Sequence, residues 1–152
     1  MSKHEAYIRE AVALAEMNVA AGGSPYGAVI VRDGAILART TNTVHATNDP
    51  SAHAEMVALR EASQILGRRD LSDCTMYASG RPCPMCHAAM RLAGFKEGYF
   101  AFSAEEADRY GAGSATIYAE LCQPLEAQPM RLRQIRPDGE SPYAAWRARR
   151  DA

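Results

Sequence analysis

Two short stretches carry residue types that could share a metal ion: His53-Ala54-Glu55 and Pro82-Cys83-Pro84-Met85-Cys86. One imidazole and two thiolates are soft or borderline donors, the kind zinc takes in a tetrahedron. Three protein ligands leave the fourth position to water, as in catalytic sites; a structural site is closed by a fourth side chain. Glu55 stands two residues from the imidazole, within reach of that water's proton. Zinc lowers the pKa of a bound water toward neutrality. The pattern therefore predicts hydrolytic attack on an electron-poor carbon, with Glu55 shuttling protons to and from the reacting group. A C-x-x-C pair alone is compatible with redox chemistry or a structural zinc. His53 and Glu55, together with two matched helix starts, point instead to one catalytic Zn2+ per chain.

The flanking sequence indicates how the two stretches meet. Asp49-Pro50 predicts a helix start, an acceptor followed by proline at the first helical position. Ala52, Met56, Leu59 and Leu66 then make one apolar face that ends at Gly67. Cys83-Pro84 repeats the arrangement and opens a helix that ends at Gly94. Both halves of the motif fall at helix N-termini, whose positive end favours thiolates and an activated water. Residues 53 and 55 are about 200° apart around a helix, so they share a metal only if it lies off the helix tip.

The other elements supply a frame. Ile8, Val12, Ala15 and Val19 recur at helical spacing before Gly22-Gly23. Tyr26 to Val31 and Ala35 to Thr40 read as a hairpin around Asp33-Gly34. Thr41 to Asn48 is polar and reads as a functional loop. Cys74 to Ala78 and Gly98 to Phe102 read as strands, Gly111 and Gly113 mark a loop, and Thr116 to Leu121 reads as helix. Met130 to Arg136 is expected as a late edge strand, and Ser141-Pro142 opens a last helix carrying Trp146. Strands alternating with helices predict an α/β layer fold with a mixed sheet in one domain, 1–152.

Composition narrows the partners. The 152 residues are 47% apolar and 23% charged, as in ordinary globular proteins. A formal charge of −1, from 17 basic and 18 acidic residues, disfavours a surface built to grip nucleic acid. No apolar run reaches the length of a membrane span and no signal peptide opens the chain, so a cytoplasmic location is expected. In that compartment the four cysteines read as ligands or buried thiols, not as a disulfide framework.

The run Asn48-Asp49-Pro50-Ser51-Ala52-His53-Ala54-Glu55, followed by Arg81-Pro82-Cys83-Pro84-Met85-Cys86, resembles the cytidine and deoxycytidylate deaminase superfamily, whose signature is H-x-E…P-C-x-x-C. Within it, Ser24-Pro25-Tyr26-Gly27-Ala28-Val29 and Ser141-Pro142-Tyr143-Ala144-Ala145-Trp146 are similar to bacterial guanine deaminases of the small zinc type. The tRNA adenosine deaminases are the next group. The resemblance implies a three-layer αβα sandwich, a five-stranded mixed sheet and a homodimer with an exchanged C-terminal segment. It implies zinc ligands at His53, Cys83 and Cys86, and a proton shuttle at Glu55. It also implies a base contact at Asn42, a ring carbonyl held by the Ala54 N–H, and an aromatic wall at Tyr26.

His45, beside Asn42 in the polar loop, and Ser114 are further candidate substrate contacts. Three positions depart from the family pattern. Arg81 stands where relatives place glutamate, and Gly113-Ser114 stands where guanine deaminases carry an acidic residue. The sequence ends in Arg149-Arg150-Asp151-Ala152, without the aromatic that helps close a guanine pocket. The expected activity is hydrolytic deamination of a free nucleobase or related amino-heterocycle, of cytosine, guanine or aminotriazine type. The alternatives are a tRNA adenosine deaminase and a non-catalytic binding module with a structural zinc.

Overall fold

A computed structural model describes residues 2–151. The chain forms two compact units, one running to Glu120 and the other starting at Leu121. The larger unit is built on a four-stranded sheet in the order β2-β1-β3-β4, comprising β1 (Gly27–Arg32), β2 (Ala35–Thr41), β3 (Cys74–Gly80) and β4 (Gly98–Phe102). β1 runs antiparallel to both β2 and β3, while β3 and β4 are parallel, so the sheet is mixed. Asp33 and Gly34 at the hairpin tip have φ of 50° and 78°. Two successive positive values make the turn whose twist matches that of the strands it joins.

Alternation along β1 sorts the helices into layers, because successive strand residues face opposite ways. Val29 and Val31 pack with Ala11, Tyr7, Ile8 and Leu14 of α1 (Lys3–Ala20). Ala28 and Ile30 pack on the other face with Ala54, Ala58 and Ala62 of α3 (Ala54–Leu66) and Met90 of α4 (Pro84–Leu92). The result is helix, sheet, helix. Gly27 sets how closely α1 can lie on the sheet, since a methyl group there would run into the Ala11 carbonyl. The helices between these layers and the end of the larger unit are short: α2 (Val44–Thr47), α5 (Ala104–Arg109) and α6 (Ala115–Leu121). No described helix is long and apolar enough to cross a membrane.

Three expectations need correction. The sheet has four strands, not five. The expected strand at Met130–Arg136 has no ladder partner and is exposed throughout; without an edge to pair with or a face to bury, its alternation of arginine with apolar residues forms no strand. Asp49-Pro50 does not start a helix. The Asp49 carboxylate accepts from the Ser51 N–H at 2.8 Å and the Ser51 hydroxyl at 2.7 Å, a local turn that competes with helix, and α3 begins at Ala54 with His53 as its cap. The stretch before Gly111 contains α5, which the glycine pattern hid; Ser103 and Glu106 form a reciprocal capping box there.

The smaller unit holds a 3-10 turn (Leu125–Ala127) and the expected final helix, α7 (Pro142–Asp151). The Arg150 guanidinium lies 4.7 Å from the Trp146 ring centroid within that helix. Met130, Leu132, Ile135, Tyr143 and Trp146 are all exposed.

Candidate active site

His53 and Cys83 occupy equivalent places, each the N-cap of a helix and each in extended backbone, with φ/ψ of −66°/153° and −67°/168°. Neither side chain caps its own helix by a hydrogen bond. Both are therefore free to reach past the helix tip, and Cys86 joins them from the first turn of α4. The His53 Nδ1 lies 3.4 Å from the Cys83 Sγ and 3.6 Å from the Cys86 Sγ, and the two sulfurs are 3.6 Å apart. A tetrahedral zinc with ordinary bond lengths has edges of about 3.8 Å between sulfurs and about 3.6 Å between sulfur and nitrogen. The triangle fits that ion. Among the described residues the group contains these three ligands and no fourth.

The same closeness shifts the titration of all three groups. Hydrogen bonds from Cys86 and His53 hold the Cys83 thiol down to about 4. The hydrogen bond shared with Cys83, together with burial, pushes the Cys86 thiol up. The hydrogen bond to Cys83 also raises His53. Metal binding displaces protons from these groups, because zinc takes thiolate and neutral imidazole.

Glu55 sits at the second position of α3 and is only 5% exposed. Its Oε2 is 3.5 Å from the Cys86 Sγ, and burial raises its pKa above the usual carboxylate range. The His53 Nδ1 and the Glu55 Oε2 lie 3.6 Å and 3.5 Å from the same sulfur, that of Cys86.

A cavity of about 480 Å3 opens over this group, lined among others by Tyr26, Asn42, Val44, His53, Glu55, Arg81, Cys83, Ser114 and Ile117. Asn42, at the end of β2, is buried. Its Oδ1 accepts from the Val44 N–H at 3.1 Å, so that bond does not use the amide N–H groups. The Tyr26 hydroxyl donates to the Ala112 carbonyl, so its ring bridges the start of β1 and the loop before α6. Ala54 is fully buried, and the Thr40 hydroxyl holds its carbonyl at 2.7 Å. As the first residue of α3 it has an N–H with no intrahelical acceptor. His45 is exposed on α2 and is not among the lining residues, whereas its neighbour Val44 is.

Tyr118 was not singled out in the sequence. Its hydroxyl donates to the Pro82 carbonyl at 2.6 Å, and the Arg81 guanidinium lies 4.2 Å from its ring centroid. Both contacts reach residues far away in sequence, so no local spacing marks Tyr118.

Zinc ligation of this kind, open on the side of a cavity and backed by a sequestered carboxylate, is that of hydrolytic zinc enzymes. Comparison with known proteins then gives the family. The cytidine and deoxycytidylate deaminase zinc-binding region matches residues 1–102. The chain is 42% identical to guanine deaminase of Bacillus subtilis over 146 residues, 95% of this chain and 94% of that protein. The crystal structure of that enzyme superposes with a TM-score of 0.91 over 97% of this chain and 95% of that one. A tRNA-specific adenosine deaminase of Aquifex aeolicus is 32% identical over 79% of this chain and 77% of its own length. The guanine deaminase structure from Nitrosomonas europaea aligns at 29% identity, with a TM-score of 0.68, over 72% of this chain and 64% of that one. The protein belongs to the cytidine and deoxycytidylate deaminase family and is a zinc-dependent deaminase.

Proposed function

We propose that the protein hydrolyses the ring amino group of a free nucleobase, with guanine the first candidate, releasing ammonia. The observation that carries this reading is the His53–Cys83–Cys86 triangle beside the buried Glu55 at the floor of the cavity. Its volume of about 480 Å3 lies within the usual range for sites that enclose a small molecule. The 42% identity to a guanine deaminase over nearly the full length of both chains supports the choice of base.

Each side chain has a distinct task. His53, Cys83 and Cys86 would hold the zinc, which would supply the Lewis acidity that activates water. Glu55 takes the proton released by the water and delivers it to the neighbouring ring nitrogen; it then takes the remaining hydroxyl proton from the tetrahedral carbon and passes it to the amine, which leaves as ammonia as the C–N bond breaks and the ring carbonyl forms. Its burial suits this work, because raising the carboxyl's pKa above the usual carboxylate range makes it a stronger proton acceptor. Asn42 donates to the base, the Ala54 N–H holds a ring carbonyl, and Tyr26 and Ser114 wall the ring in.

Residues 1–152 work as one deaminase domain, in the cytoplasm, as a homodimer. Phe100 and Phe102 on edge strand β4 are exposed, and so are Met130, Leu132 and Trp146 of the smaller unit. Exchange of the C-terminal segment between subunits would cover such surfaces.

Ammonia release should be fastest from guanine among guanine, cytosine, adenine, an aminotriazine and their nucleosides where these exist. Release only from an anticodon stem-loop RNA would overturn the nucleobase reading in favour of tRNA editing. No ammonia from any of them, with zinc bound, would point to the binding module.

A further inference from the structure

Resting on that reading of the cavity, we propose that Arg81 selects the substrate by pairing with an anionic oxygen on the ring edge away from the amino group. Of the lining residues, only Glu55 and Arg81 carry a full charge on an acidic or strongly basic side chain. Glu55 is buried against the metal ligands, whereas Arg81 is exposed and makes no ion pair among the described residues. Glu105 lies near enough to feel it: its own backbone N–H and Ser103 hold that carboxyl down, with a smaller pull from Arg81. It does not come within pairing distance.

Arg81 is nonetheless held in place at both ends. Its backbone N–H donates to the Phe102 carbonyl at 2.9 Å, and its guanidinium lies 4.2 Å from the Tyr118 ring centroid. Tyr118 is fixed in turn by its hydroxyl on the Pro82 carbonyl at 2.6 Å and by its N–H on the Ser114 carbonyl at 3.2 Å. A guanidinium over an aromatic face keeps its N–H edge free for a planar, two-oxygen acceptor. Fixing it in advance lowers the ordering cost of binding. The acceptor is a carboxylate carried on the heterocycle itself; the phosphate of a nucleotide presents the same oxygens on a longer arm.

Pterin shares the amino-oxo pyrimidine ring of guanine, and pterin-6-carboxylate adds the anion. The test is kcat/KM for ammonia release from this pair, and from guanosine and guanosine 5′-monophosphate, in the wild type, Arg81→Gln and Arg81→Glu. In parallel, Kd for the pterin pair is measured by fluorescence in the Glu55→Gln background, with and without Arg81→Gln. The wild type should favour the carboxylate by about tenfold or more, the size of one charge-assisted contact. Arg81→Gln should bring the ratio close to one, and Arg81→Glu should reverse it. A ratio that ignores residue 81 overturns the proposal, and so does a preference confined to the phosphate pair. A Kd ratio that depends on Arg81, with no ammonia from any compound, keeps this role and removes the reading of these heterocycles as substrates. Ammonia from the parent compounds, with ratios independent of Arg81, does the reverse.

Discussion

The helix starts that carry the ligand group and those that carry none are built differently. Ser2 caps α1 by accepting from the Glu5 N–H at 3.1 Å, and Ser103 caps α5 in a full capping box. His53 and Cys83 stand at the same position of α3 and α4 and cap nothing. A conventional cap satisfies a backbone donor that the helix itself cannot, typically contributing about 1 kcal/mol. At α3 and α4 the two side chains approach each other at 3.4 Å instead, so the first N–H groups of each helix have no side-chain cap. Local stability is given up where the N–H groups and the positive end of the helix have a use.

The largest expected effect tests this trade at His53. His53→Asn removes a metal ligand and supplies a good capping residue, so it should abolish zinc binding and ammonia release. The metal-free variant should nonetheless melt no lower than stripped wild type, by calorimetry. A large loss of Tm in the stripped state would show that the imidazole supports the fold, and the contrast would fail.

Next comes Glu55→Gln, which keeps the shape and removes the proton shuttle. Zinc content by metal analysis should be unchanged, while kcat falls by about 10²–10⁴, the usual worth of general acid–base catalysis. A near-normal rate with zinc retained would remove Glu55 from the mechanism.

At α5, whose Ala104 and Ala107 line the cavity but which carries no metal ligand, Ser103→Ala should destabilise by about 1 kcal/mol in chemical denaturation. Zinc stoichiometry should not change. Loss of metal in this variant would show that α5 is coupled to the site more tightly than its place suggests.

The smallest effect concerns pH. Arg68 and Arg32 hold the exposed Asp73 carboxyl down to about 2. Because the folded value lies below the unfolded one, this stabilisation is whole above about pH 4 and fades as pH falls toward the folded value. Asp73→Asn should therefore lower Tm at neutral pH, by an amount that shrinks steadily with acidification. A Tm difference independent of pH would show that the contact is not ionic.

Much of the site could be read from sequence because its chemistry is local. Cys83, Pro84 and Cys86 fall within one helical turn, and His53 and Glu55 need only a helix start to be brought to a common point. The placement of that start was misread at Asp49, where a side-chain turn outcompeted helix. The sheet was legible up to β4 because each strand has both a hydrophobic pattern and a partner. Met130–Arg136 has the alternation without the partner, and sequence alone does not distinguish the two. His45 misled for a related reason: the short helix α2 leaves it exposed while Val44 lines the cavity. Tyr118 escaped notice because its contacts join residues 36 positions apart, which no local pattern announces.

X-ray absorption at the zinc edge tests the central claim most directly. The account predicts one zinc per chain with two sulfurs at about 2.3 Å and two lighter atoms at about 2.0 Å, only one of them from the protein. A third sulfur, a second histidine in the coordination shell, or a protein that folds and turns over without zinc would contradict it.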